Sequence, residues 1–158
     1  FTKKLLLELE QSNFIDKGKL KFVLVNFPLE QVNENSLDLA RAIIYAAKKG
    51  KFLEIIDKLS KASLPFNKEA LTVIAKELSL NPVDFALSFE NNEIEKQLRF
   101  EQSIGATINI QGVPHTFIGG VPVVGNMPYA TFKKMIESAL AQVKAITKKS
   151  QSQTAGRN

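Results

Sequence analysis

The segment Lys21-Phe22-Val23-Leu24-Val25-Asn26-Phe27 is apolar at both odd and even positions and stops at Pro28. A strand with one wet face alternates; one that does not alternate is normally covered on both sides, as in a sheet with helices on each face. This run is the strongest strand signal in the chain and points to an α/β sheet. The covering layers must come from the rest of the chain.

Helical periodicity flanks the run on both sides. Before it, residues 2–12 place Leu5, Leu6 and Leu9 on one face, and the stretch from Asn13 to Gly18 breaks the pattern. After it, from Asn33 to Phe100, about five helices follow without an intervening strand. Asn35 is a candidate cap for a helix with Leu37, Ala40, Ile44 and Ala47 as its stripe, ending near Gly50. Phe52 to Lys61 turns Leu53, Ile56 and Leu59 inward. Lys68 to Leu78 does the same with Leu71, Ile74, Ala75 and Leu78. Asn81-Pro82-Val83-Asp84 combines a cap, a proline at the first helical position and an acid in the first turn. The next helix begins near Asn92, with Glu95 placed for a capping box and Ile94, Leu98 and Ala106 as anchors.

Strand character returns at Gly112-Val113-Pro114-His115-Thr116-Phe117-Ile118, passes Gly119-Gly120 and leaves through Val121-Pro122-Val123-Val124. Two short β-rich runs around a Gly-Gly pair predict a hairpin. Pro122 lacks an N–H and belongs at an edge or bulge. A last helix opens at Asn126 to Pro128, burying Phe132, Met135, Ile136, Ala139, Leu140 and Val143. From Lys148 the polar tail is expected to be unstructured.

Composition limits the chemistry. At 158 residues and 44% hydrophobic residues, the chain can bury a core of its own. It has no cysteine, which removes thiolate metal sites and thiol nucleophiles from these residues, and no apolar run near membrane-spanning length. The net charge of +5 comes almost wholly from dispersed lysine, since only Arg41, Arg99 and Arg157 are arginine. That pattern describes a solvated surface better than a nucleic-acid footprint. His115 is the only histidine, so a histidine-rich metal site is excluded, and no serine sits in a nucleophile-elbow context to pair with it. Gly119 to Gly125 enters a strand rather than a helix N-terminus and does not form a phosphate cradle. The carboxylates, mostly at helical spacing with lysines, read as a solvated face.

The segment that stands out is Gly112-Val113-Pro114-His115-Thr116-Phe117. Proline opening a buried strand removes a ladder donor. A trans proline in a turn ahead of the strand accounts for it. So does a cis Val113–Pro114 bond, which would turn the backbone N–H and C=O of Val113 outward.

These residues carry a family resemblance. Gly112-Val113-Pro114-His115-Thr116-Phe117-Ile118-Gly119-Gly120, then Val124-Gly125-Asn126-Met127-Pro128-Tyr129 and Phe132, resembles the C-terminal half of DsbA-like thiol–disulfide oxidoreductases. Lys21 to Leu29, with its Phe27-Pro28-Leu29 end, is similar to that family's second core strand. Gly50-Lys51-Phe52 resembles the start of its helical insertion. The likeness runs in order over most of residues 1–143.

The resemblance implies an α/β fold: a thioredoxin-like central sheet with an inserted all-helical subdomain. The core would comprise residues 1–32 and 107–147, the insertion residues 33–106, and the tail residues 148–158. It implies a peptide-binding role for Val113, Pro114 and His115: Pro114 as a cis-proline packed against a cysteine pair, Val113 pairing with an extended substrate, and His115 either tuning a thiolate or filling space. The family's Cys-x-x-Cys and first core strand would lie before Phe1. That strand would belong between the segments centred on Leu24 and Phe117, whose edges would otherwise face each other unpaired. An N-terminal piece of roughly 30–50 residues is therefore expected, from ordinary strand and loop lengths.

The implied activity is disulfide exchange with cysteine-containing extracytoplasmic proteins and a redox partner, in a periplasm-like compartment, with no cofactor, no metal, no nucleic acid and no stable membrane insertion. A redox-inactive peptide-binding module and a kappa-type glutathione transferase or isomerase relative are the competing implications. Oligomeric state, substrates and the direction of transfer are not encoded in these residues.

Overall fold

The computed structural model describes residues 1–155 apart from 13, 16, 17 and 64; side chains at 149, 150 and 152–155 lie outside the description. The chain divides into two compact units, one formed by Phe1, Lys3–Phe22 and Gln111–Asn158, the other essentially by Val23–Ile110.

The helical unit contains α2 (Ser36–Lys48), α3 (Phe52–Lys61), α4 (Lys68–Glu77), α5 (Pro82–Ser88) and α6 (Asn92–Thr107). Its core is continuous, with Ile44, Ile55, Leu71, Phe85 and Leu98 almost wholly shielded. Phe85 is its centre, packed edge-on against Tyr45 at 5.5 Å and Phe89 at 5.3 Å. Asparagine caps open α4, α5 and α6. Asn67 accepts from the Ala70 N–H, Asn81 from Val83 and Asp84, and Asn91 from Glu93 and Ile94.

Several local expectations are corrected here. Asn35 precedes α2 without a side-chain cap, and its own N–H is instead bound by the Asn33 carbonyl oxygen Oδ1. Glu95 forms no capping box; it is drawn to Arg41 and Arg99. In α3 the buried residue is Ile55, while Leu53 is exposed. Ala47 and Ala106 face solvent. Ala46 and Gly105, each one residue away, are buried in their place, because a 3.6-residue period leaves neighbouring positions nearly equivalent until a partner helix selects one.

The second unit joins α1 (Thr2–Gln11), the hairpin β1 (His115–Ile118) and β2 (Val121–Val124), and α7 (Tyr129–Ala155). Leu5, Leu9, Phe14, Ile118, Val123, Phe132 and Ile136 form its core. The antiparallel register pairs Ile118 with Val121 and His115 with Val124. Gly119 and Gly120 both have positive φ (57° and 86°), as a type I′ turn requires at its two central residues.

The α/β class holds, but the sheet is this two-stranded hairpin. The segment from Lys21 to Phe27 forms no strand among the described residues. A strand exists only through a ladder partner, and among the described residues β1 pairs with β2 alone. The segment still alternates, with Val23 and Val25 exposed and Phe22 and Leu24 half-buried. The expected unstructured tail from Lys148 also differs: α7 runs on to Ala155. Its lysines, glutamines and alanines sustain a helix, and no glycine or proline interrupts it before Gly156. Residues 156–158 of that tail, and residues 13, 16 and 17 of the expected break after α1, lie outside the described residues.

Candidate functional site

Gly112 and Val113 lead into β1 through a bend, and the Val113–Pro114 bond is cis. The Pro114 carbonyl accepts the Gly125 N–H at 2.9 Å, extending the hairpin contact beyond β2. With Gly119-Gly120 as a two-residue turn, the hydrogen-bonded positions of β1 are Ile118 and Thr116, continued by Pro114. The main-chain groups of Phe117 and His115 therefore point away from β2, along an edge with no strand on it among the described residues, and Val113 lies in the bend just before that edge. Parity also explains Pro122: it falls opposite Phe117, a non-bonded position, where the missing N–H costs no ladder bond.

The three candidate residues are contiguous and differ in exposure. Val113 is 56% exposed, while Pro114 and His115 are half-buried. The His115 ring stacks on Phe117, centroids 5.1 Å apart and planes 23° from parallel. Its Nε2 is shielded from solvent and has no hydrogen-bond partner. The imidazole thus fills space against an aromatic neighbour while keeping one polar atom unsatisfied. No cluster of metal-binding side chains occurs among the described residues.

A second polar cluster departs from the expectation that the carboxylates form a solvated face. Glu101, on α6, is only 9% exposed. Its Oε2 accepts both the Asn26 main-chain N–H and the Asn26 Nδ2, each at 2.7 Å, and its Oε1 accepts Gln97 Nε2 at 2.9 Å. One turn on, Gly105 leaves room for the Phe27 ring. The carboxylate thus holds the end of the apolar segment against α6, doing with side-chain acceptors what a ladder would do with carbonyls. A sequence signal for it exists: Glu101 lies on the stripe of Ile94, Leu98 and Gly105.

A third group ties α2 to α6. Arg41 Nη2 reaches Glu95 Oε2 at 2.9 Å and Arg41 Nη1 reaches Asp38 at 2.8 Å, while Arg99 Nε holds Glu95 Oε1 at 2.7 Å. Burial alone would push the Glu95 carboxyl up; the hydrogen bonds and charge of Arg41, then Arg99, outweigh it and hold the group below its ordinary range. Burial likewise opposes the Arg41 charge, and Glu95 and Asp38 more than restore it.

The family described as DSBA-like thioredoxin domain matches residues 16–137. A protein of Bacillus anthracis named probable disulfide bond formation protein D is 24% identical over 140 residues, covering 82% of this chain and 62% of its own. The chain thus spans less than two thirds of that relative's length. No solved structure matches.

Proposed function

Because the chain belongs to the DSBA-like thioredoxin domain family, we propose that it is the substrate-gripping part of a thiol–disulfide oxidoreductase acting on cysteine-containing proteins outside the cytoplasm. The observation that carries the reading is the outward edge of β1, which leaves the His115 and Phe117 main-chain groups for an added extended strand, a strand that on this reading continues onto Val113. Val113, in the bend before that edge, is exposed. Pro114 and His115 form the floor beneath the bound peptide. The redox pair is supplied by a Cys-x-x-Cys preceding Phe1, together with the first core strand. On this reading residues 1–32 and 107–147 belong to the core and residues 33–106 to the helical insertion, although residues 23–32 and 107–110 cluster with the helical unit.

The chemistry is exchange. A substrate thiolate attacks the protein disulfide, forming a mixed disulfide and releasing one protein thiolate. A second substrate thiolate then displaces the protein, so the substrate loses two electrons and two protons while the protein becomes a dithiol. The reverse sequence reduces or reshuffles substrate bonds. A low thiol pKa, as at a helix N-terminus, makes the protein thiolate a good leaving group. The chain's own part is to align the peptide so that its sulfur meets that pair.

The test uses the protein with its native residues upstream of Phe1. Incubation with a reduced two-cysteine peptide is expected to give a mixed disulfide, seen by intact mass. Methylating the peptide amide that pairs with Val113 is expected to weaken binding about tenfold, the value of one good hydrogen bond. Peptide binding without any mixed disulfide, in a protein lacking upstream cysteines, would replace this reading by a redox-inactive binding module. Indifference to the methylated amide would remove the strand-addition mode.

A further inference from the structure

The buried part of α7 ends well before the helix does. Phe132 and Ile136 are in the core and Ala139 and Leu140 are half-buried, but every residue from Ala141 to Lys148 is exposed. The apolar stripe nonetheless continues past the core: at 3.6 residues per turn, Val143 and Ile146 extend the line of Ile136 and Ala139. Val143 is 60% exposed and Ile146 69%. Lys144 and Lys148, one turn apart, border that stripe.

Charge is segregated as well. From Ser138 to Asn158 the sequence has no aspartate or glutamate, whereas it carries Lys144, Lys148, Lys149 and Arg157. Elsewhere on the chain, lysines are interleaved with acids and form ion pairs such as Lys58–Glu77 and Lys61–Asp57. An exposed helix with an apolar stripe, a cationic border and no acids complements an anionic lipid surface. The apolar side chains enter the headgroup boundary, and the lysine stems lie along it with their ammonium groups at the phosphates. No helix among the described residues is long and apolar enough to cross a membrane, so this contact is peripheral.

We propose that the C-terminal half of α7 docks the protein reversibly onto anionic phospholipid, independently of the redox reading. The test measures co-sedimentation of the full chain with phosphatidylcholine vesicles, with and without phosphatidylglycerol. Binding is expected only with phosphatidylglycerol, and is expected to fall as salt is raised. Lys144→Gln combined with Lys148→Gln is expected to reduce partitioning about 25-fold, roughly fivefold for each lysine near the surface. Val143→Ser with Ile146→Ser is expected to reduce it about tenfold. Both pairs are exposed, so circular dichroism of the parent fold is expected to be retained.

Equal binding to neutral vesicles would overturn the proposal. So would vesicle binding that survives the serine pair, which would mark a bare polyanion site. Self-association abolished by the serine pair, without vesicle binding, would assign the face to a second copy of the chain and overturn it too.

Discussion

Gly105→Ala should destabilise this protein, although the same change inside an exposed helix normally helps. Alanine is favoured over glycine in a helix by about 0.8–1 kcal/mol. At this position a Cβ would stand 2.4 Å from Phe27 Cδ2, 2.5 Å from Cε2 and 3.2 Å from Cγ. Relaxed carbon contacts lie at about 3.5–4.0 Å, so the overlap exceeds an ångström along one edge of the ring. The ring cannot simply retreat. Asn26 beside it is pinned to Glu101 by two hydrogen bonds of 2.7 Å, and Pro28 on its other side has a fixed φ.

A contact this short belongs in the upper part of the overpacking range, about 2–3 kcal/mol, so after the helix gain of about 0.8–1 kcal/mol the net loss should be about 1–2 kcal/mol. For a chain of this size that is a fall in Tm of roughly 2–8 °C. Urea and thermal unfolding of Gly105→Ala, Phe27→Ala and the double variant form the decisive cycle. With Phe27 truncated, the clash is gone, and Gly105→Ala should become stabilising by up to about 1 kcal/mol. A Gly105→Ala protein that melts higher than the parent would refute the reasoning. So would an equal effect in both backgrounds, because the expected loss arises entirely from contact with the Phe27 ring.

Acid stability should depend on Glu95. Its carboxyl is held low in the folded state, so it contributes stability present above the unfolded value of about 4.3 and lost as pH falls through the folded pKa. Glu95→Gln should cost about 1 kcal/mol at neutral pH, a modest figure because the side chain is partly solvated, and should flatten the loss of stability on acidification; a slope identical to the parent's between about pH 5 and 2 would count against the Arg41–Glu95–Arg99 group. The caps offer a matched comparison. Asn91→Ala should lose about 1 kcal/mol in urea unfolding, since its side chain holds two N–H groups of α6, while Asn35→Ala, which caps nothing through its side chain, should be close to neutral. Equal losses would mean that the Asn35 side chain serves the first turn of α2 in solution.

Local signals suffice where one residue decides the outcome. Asn81 with Pro82 starts α5, and Gly119-Gly120 permits a turn that no residue with a Cβ adopts comfortably at both positions. Apart from the strand expected at Lys21 to Phe27, the order of elements and the hairpin turn are likewise legible, whereas the residues left the Val113–Pro114 bond open between trans and the cis isomer the structure has. Glu95 departs from its expected role because capping is a competition: Arg41 offers its carboxylate a better partner, and the local pattern does not show which partner prevails.

The sequence alone determined periodicity and punctuation: where helices begin, where the hairpin turns, and which segment is apolar at successive positions. Only the tertiary structure decided that Lys21 to Phe27 has no ladder and that its end is held instead by Glu101 and by the space at Gly105. It also decided that Val143 and Ile146 lie in water rather than in the core. The physical reason is common to all three. A hydrogen-bond partner or a covering surface is a property of another part of the chain, and no residue carries that information by itself.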